Sequence, residues 1–410
     1  MMRPRTLSSS FASIAILLFA SAAHAQGKKA ITVKEQLLMP SWGNYTIAPA
    51  GNRMLFTKST RDPDSFESTS HIFLYDFASG KTTQLTASPK GESNPRWMPD
   101  GRIVFSSNRD GKNALWAISP DGGEAVKLVE DEKAPSNGSF STDFTRIAFT
   151  EPTERADKKE WDEKVKKKDD GYHAEKKLTY TQIHVYDIAG GKKKQITSGN
   201  FDNSGPTWSP DGRWIVFTSN RTGTQMGDPD RSDNTDIFIV AADSGESRRL
   251  TTSSGPDRGP VWSPDGKWIA YSTAMENHGA NQNDLAVIAV DGGAPKNLTS
   301  DFDFTISGID WSPDGRTLYF RADQGLTSLL FRIRVAGGTP ERVLPDDENV
   351  YALESTSKDG SRWIVSSSSL TDPGSVFIAD TDGRNMTASR RCPDHQGLPR
   401  RGTTSVSPRL

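Results

Sequence analysis

A recurring pentapeptide constrains this chain more than any other feature. It reads Trp208-Ser209-Pro210-Asp211-Gly212, Trp262-Ser263-Pro264-Asp265-Gly266 and Trp311-Ser312-Pro313-Asp314-Gly315, with a variant at Trp97-Met98-Pro99-Asp100-Gly101. Ser-Pro-Asp-Gly is tight-turn chemistry: proline presets φ at the first central position, aspartate tolerates the second, and glycine accepts a positive φ. A strand-like run follows each copy, as in Trp214-Ile215-Val216-Phe217 and Trp268-Ile269-Ala270-Tyr271. Strand, turn, strand predicts a β-hairpin. A third run, Asp236-Ile237-Phe238-Ile239-Val240 or Asp284-Leu285-Ala286-Val287-Ile288, then leads through a glycine turn to a short segment ending in Leu250-Thr251 or Leu298-Thr299. The repeating unit therefore has four strands.

Weaker copies of the turn stand at Pro49-Ala50-Gly51, Thr142-Asp143-Phe144 and Lys358-Asp359-Gly360. The last residues of the seven turns are 51, 101, 144, 212, 266, 315 and 360, mostly forty to fifty-odd residues apart, with one wide gap after 144. Four strands at that period are the signature of a β-propeller, here all-β with about seven blades. The apolar runs are nearly continuous rather than alternating, as expected where neighbouring blades cover both faces of each sheet. The tryptophans of the repeat read as packing between blades, not as ligand platforms.

Residues 1–25 read as a secretory signal, with Arg3 and Arg5 before a short apolar core and Ala23-His24-Ala25 as cleavage site. The expected mature chain is exported, periplasmic or secreted, and the signal looks bacterial. The apolar stretch is too short to span a bilayer. Cys392 is the single cysteine, so no internal disulfide can form. A formal net charge of −2 argues against nucleic acid or an anionic membrane as partner. The propeller is expected over 26–383. Residues 384–410 begin a closing strand that stops near Met386, and the remainder reads as a disordered or out-of-frame tail.

Two segments break the rhythm. Residues 151–177 are dense in charge and read as a solvated loop with a helical turn, or as an arm offering Glu160, Asp162 or Glu163 to a cationic group on a substrate. Residues 228–236 carry spaced aspartates but lack the glycine and terminal glutamate of a calcium loop, so no metal is assigned. No cofactor is expected.

Several stretches resemble a known family. Gln182-Ile183-His184-Val185-Tyr186-Asp187, Gln195-Ile196-Thr197, Phe201-Asp202, the Trp208 to Gly212 turn, Asp228-Pro229-Asp230 and Ser369-Leu370-Thr371-Asp372-Pro373-Gly374 look like the propeller domain of prolyl oligopeptidase (S9) serine peptidases, of the acylaminoacyl-peptidase and dipeptidyl-peptidase branch. The Trp-Ser-Pro-Asp-Gly repeat itself is shared with TolB-like propellers. The resemblance implies a propeller that caps an α/β-hydrolase domain, admits short or unfolded peptides, and holds the substrate N-terminus. That hydrolase domain would carry a serine on a Gly-x-Ser-x-Gly elbow. No such motif occurs here; Gly91-Glu92-Ser93-Asn94-Pro95 and Gly245-Glu246-Ser247-Arg248-Arg249 lack the second glycine. No catalytic residue carries over, and the chain alone is expected to be inactive. The expected partners are peptides, the hydrolase domain, or another protein. The alternative is a stand-alone TolB-like binding or scaffolding propeller. His71 and His184 lie on strand-like runs and read as packing residues.

Overall fold

The structure is a computed structural model of the 410-residue chain. It describes residues 32–391 except 130–134, 136–137, 156–157, 168–178, 223–233, 244, 275–281, 325–326, 345–348, 370–373 and 384. The expected leader, the aspartates of 228–233, the 369–374 resemblance beyond its first and last residues, and Cys392 with all that follows lie outside these residues. After a short helix, α1 (Val33–Leu37), the chain forms seven four-stranded antiparallel sheets arranged as a seven-bladed β-propeller. The blades span residues 41–84, 92–127, 139–195, 203–249, 257–297, 306–342 and 350–391. Each sheet is built from four consecutive strands. No helix among the described residues is long and apolar enough to cross a membrane.

The recurring turn owes its stability to more than proline and glycine. In blade 4 the Ser209 hydroxyl donates to Asp211 Oδ1 at 2.6 Å and accepts the Trp214 N–H at 2.9 Å. Asp211 Oδ1 also accepts the Arg213 N–H at 3.0 Å, and the Gly212 N–H closes the turn on the Ser209 carbonyl at 2.9 Å. Serine and aspartate thus satisfy backbone groups that a two-residue hairpin leaves open. The same serine–aspartate pair recurs at Ser263/Asp265, Ser312/Asp314, Ser357/Asp359 and Ser141/Asp143. In blade 7 the Ser357 hydroxyl, followed by the N–H and hydroxyl of Ser361, holds the Asp359 carboxyl down to about 2. All seven turn markers adopt positive φ, including Phe144 at 59°, where a non-glycine residue accepts the left-handed conformation.

In four of the seven blades a tryptophan before the turn joins the blade to the previous one. Its indole N–H donates to a backbone carbonyl of the preceding blade's inner strand: Trp97 to Thr46 (3.4 Å), Trp208 to Ser139 (2.9 Å), Trp262 to Thr207 (3.1 Å) and Trp311 to Val261 (3.1 Å). The rings of Trp208, Trp262 and Trp311 are only 7 %, 9 % and 8 % exposed, in clusters shared by two blades. Trp262, for example, packs with Val216 and Ile237 of blade 4 and Ile269 of blade 5. This is the inter-blade role expected from the repeat. In blade 4 the second and third strands are buried almost throughout, with Ile215, Val216, Phe217 and Ile237 fully enclosed.

Two features depart from the reading of the sequence. In blade 3 the charged segment begins inside the sheet: the second strand, Arg146–Glu154, pairs with Thr179–Asp187 along its whole length, and a nine-residue helix, α2 (Lys158–Lys166), follows. Pro152 is tolerated because it lies where the two strands run on as a ribbon beyond their neighbours. In blade 7 the closing strand does not stop at Met386. It runs over Thr387–Arg391 and pairs with Ser375–Asp380, with a bulge at Val376/Phe377. An outer strand is held by backbone groups, so the absence of a Leu-Thr ending does not prevent pairing.

The ring closes without a shared sheet. Ile47, Met54 and Phe56 of blade 1 cluster with Ile364 of blade 7. The Ile47 N–H reaches Ser355 Oγ at 3.2 Å, and Arg362 Nη1 donates to the Gly51 carbonyl at 3.0 Å while its guanidinium stacks over Phe77.

Replacing Trp262 by phenylalanine keeps the ring but orphans the Thr207 carbonyl. It should cost about 1–3 kcal/mol in urea unfolding, whereas Trp268→Phe, at an exposed position, should stay within about 0.5 kcal/mol. In hydrogen exchange, amides of residues 376–379 should exchange faster than those of 237–240, because the blade 7 strand is only half-buried and its blade 4 counterpart is enclosed.

Candidate functional site

Inner strands of neighbouring blades contact one another, so these strands line the central channel. Five of them share a bulge three to four residues before the turn, with register shifts at Gly43/Thr46, Ser93/Arg96, Ser204/Thr207, Arg258/Val261 and Ser307/Asp310. Each bulge holds one left-handed residue, Asn44, Asn94, Gly205, Gly259 or Gly308, with φ from 52° to 61°. The bulge re-aims the side chains on either side of it. Exposed residues along these strands include Ser93, Arg96, Ser204, Arg258, Asp310 and Glu354, so the channel wall is polar and carries both signs of charge. The sequence signal was present but unread: Asn94-Pro95, Gly205-Pro206 and Gly259-Pro260 each stand just ahead of the repeated tryptophan.

Asp310 is the most perturbed group of the channel. Solvent reaches it, but the surrounding walls strip much of its hydration and push its pKa up to about 6, against the pull of Arg321. A Cβ on Gly308 would come within 2.7 Å of Arg321 Nε, so this glycine leaves the room in which the arginine crosses the inner strand. Across the ring, crowding likewise lowers the pKa of Arg96. Glu354 Oε1 accepts a hydrogen bond from Ser366 Oγ at 2.6 Å.

At the opposite end of the inner strands, polar clusters fasten one blade to the next. Between blades 1 and 2, buried Glu92 accepts from Arg109 Nη2 at 2.9 Å and meets His71 Nδ1 at 3.0 Å. Between blades 3 and 4, buried Asn203 accepts from Arg221 Nη2 at 2.9 Å and donates to Gln182 Oε1 at 3.0 Å. Arg221 is sandwiched by Phe201 and Phe238, and burial lowers its pKa to about 10. Both expected packing histidines fit this picture. His184 is buried against Phe149, with its pKa lowered by desolvation and Nδ1 3.3 Å from the Gln182 carbonyl.

The three acidic residues singled out in the charged segment share α2, at the end of the propeller that carries these clusters. Glu160, Asp162 and Glu163 are all exposed. Glu160 and Glu163, three apart, share one side of the helix, and Asp162 is four residues from Lys158, so the carboxylates do not converge. Among the described residues no group of three or more histidine, cysteine, aspartate or glutamate side chains is placed to hold a metal. An open recess of about 470 Å³ lies at the junction of blades 1 and 7, lined by Asn52, Phe77, Arg362, Ile378, Asp380 and Asn385.

The raised pKa of Asp310 has a consequence for stability. Between 3.8 and about 6 the folded chain holds a proton there that the unfolded chain has released, so this group weakens folding as pH rises through 6. Asp310→Asn should therefore melt higher than the parent chain at pH 8, and the difference should shrink steadily as pH falls from 6 to 4.

No protein-family model matches the chain. The sequence is 33 % identical over 227 residues to the uncharacterized peptidase YuxL of Bacillus subtilis, covering 52 % of this chain and 34 % of that protein. It is 27 % identical over 332 residues to dipeptidyl-peptidase 5 of Porphyromonas gingivalis, covering 71 % and 46 %. The chain thus spans less than half the length of these relatives. Among solved structures, an acylaminoacyl peptidase bound to a chloromethyl ketone superposes with a TM-score of 0.64 at 15 % identity, over 87 % of this chain and 53 % of that one. By sequence relatives and by fold, the chain is related to the propeller domains of S9 peptidases.

Proposed function

We propose that the chain is the propeller part of an exported S9-type serine peptidase, admitting and binding peptides for a catalytic α/β-hydrolase domain that lies outside these 410 residues. The observation that carries this reading is the sequence likeness to two peptidases across most of the propeller. The leader-like residues 1–25 support export. Catalysis is assigned elsewhere because no Gly-x-Ser-x-Gly elbow occurs in the sequence. A polar channel of mixed charge suits peptides, whose backbone supplies donors and acceptors at every residue. The exposed carboxylates of Glu160, Asp162 and Glu163 are offered to the cationic N-terminus of such a peptide.

The test is peptide binding by the purified chain, read by fluorescence anisotropy with labelled tetrapeptides. A peptide with a free amine should bind, and the Glu160→Gln/Asp162→Asn/Glu163→Gln variant should weaken it by about tenfold, or 1.4 kcal/mol, while leaving an N-acetylated peptide unaffected. Failure of both peptides to bind overturns the reading. Equal loss for both removes only the role of the three carboxylates. A serine-directed fluorophosphonate should not label the chain, and labelling would overturn the assignment of catalysis to another domain.

A further inference from the structure

The polar clusters between blades follow one plan, and one of them lacks its cation. In each, the first residue of an inner strand pairs in register with the last residue of the second strand: Glu92 with Ser107, Asn203 with Ser219, and Asp257 with Thr273. In blades 2 and 4 the residue two places further on is arginine, and Arg109 and Arg221 donate to Glu92 and Asn203. Each of these arginines also lies within 3.5 Å of the paired serine hydroxyl, so the geometry is the same in both. In blade 5 the corresponding sequence position is Met275, which brings no charge.

The consequence falls on Asp257. Its side chain is fully buried, yet neither carboxylate oxygen has a hydrogen-bond partner among the described residues, and neither has Thr273 Oγ1 beside it. The hydroxyls of Thr251, Thr273 and Ser253 lie close enough to favour the carboxylate electrostatically, yet by distance and angle none of them makes a hydrogen bond to it. Asp236 of blade 4, also fully buried, stands close enough to repel it. Asp236 has its own partners: Arg249 Nη2 at 2.8 Å and the hydroxyls of Thr222 and Thr251. Arg249 pairs with Asp236, and among the described residues no cation stands against Asp257, so a carboxylate there would be a buried charge without a counter-ion. Such a charge is strongly destabilising unless something neutralises it.

We propose that the junction of blades 4 and 5 binds a metal cation through the Asp257 carboxylate and the Thr273 hydroxyl, where the junctions of blades 1 and 2 and of blades 3 and 4 place an arginine. Every available donor is a hard oxygen, which selects ions of the calcium or sodium type over metals that prefer sulphur or imidazole. The ion ties the inner strand of blade 5 to the third strand of blade 4 by neutralising the charge that Asp236 and Asp257 share. Burial and Asp236 push the Asp257 pKa up, so a proton is the competing occupant, and low pH weakens the ion.

The full chain, dialysed against chelator into choline buffer at pH 8, is melted with calcium, magnesium or sodium chloride added separately. A saturable rise in melting temperature with calcium or with sodium is expected, the two arms telling divalent from monovalent binding. Asp257→Asn, a neutral isostere, should melt without any cation response. Terbium, a luminescent stand-in for calcium, should be sensitised through Tyr271, whose ionisation is pushed up by burial and then by Asp257 and Asp236. That signal should vanish in Asp257→Asn. If that variant does not fold, Thr273→Val should weaken terbium binding by about tenfold. Absence of any cation response, with melting that rises only as pH falls from 8 to 5, would assign the site to a proton and overturn the proposal. A response that persists in Asp257→Asn would overturn it too.

Discussion

An indole N–H that reaches the backbone of the preceding blade sets the relation between neighbours on which the ring depends. Hydrophobic packing between two sheets is non-directional and tolerates a range of angles. A hydrogen bond from Trp208, Trp262 or Trp311 to one particular carbonyl does not, since it weakens steeply when its angle is lost. The serine–aspartate turn fixes the end of the inner strand on which the tryptophan stands. Turn and indole are consecutive in sequence, so the residues that shape a blade also dock it. Blades 1, 3 and 7 have Ile47, Phe140 and Thr356 in place of the tryptophan, and in blade 3 Phe140 and Phe144 stack there.

The fold was legible because its determinants are local and repeated. Turn residues, the aromatic before them and the run after them lie within about ten residues and recur at a regular period, so each copy corroborates the others. Even the weak turn ending in Phe144 was found by spacing, and the structure gives it the same positive φ as the glycines. What escaped was of another kind. The closing strand Thr387–Arg391 is held by backbone pairing, which leaves little trace in residue type. The extension of the Arg146–Glu154 strand into a charged segment was missed because two paired strands beyond a sheet carry no apolar pattern.

The site was less legible than the fold. The charge of α2 could be read from composition, but the distance between its carboxylates and any ligand could not. The channel charges Arg96 and Asp310 follow from a bulge whose sequence mark, a glycine or asparagine three residues before the tryptophan, is easily taken for an ordinary turn. The junction clusters join residues from two blades, and Glu92, Asn203 and Asp257 share no side-chain type. Only their common register reveals them as equivalent, and only that equivalence makes the missing arginine visible.

Contiguity of the sheets has its own consequence. Because no sheet among the described residues mixes strands from distant parts of the chain, a cut between any two blades severs none of these ladders of backbone hydrogen bonds. The polypeptide is in effect a string of interchangeable cassettes, and its start is topologically arbitrary. A circular permutant opened between blades 5 and 6, with the ends near Ser41 and Arg391 joined by a linker, would keep all seven sheets whole. The same property lets a gene of this kind gain or lose a blade by in-frame duplication or deletion without leaving a strand unpaired, and the ring then has only to adjust its angle.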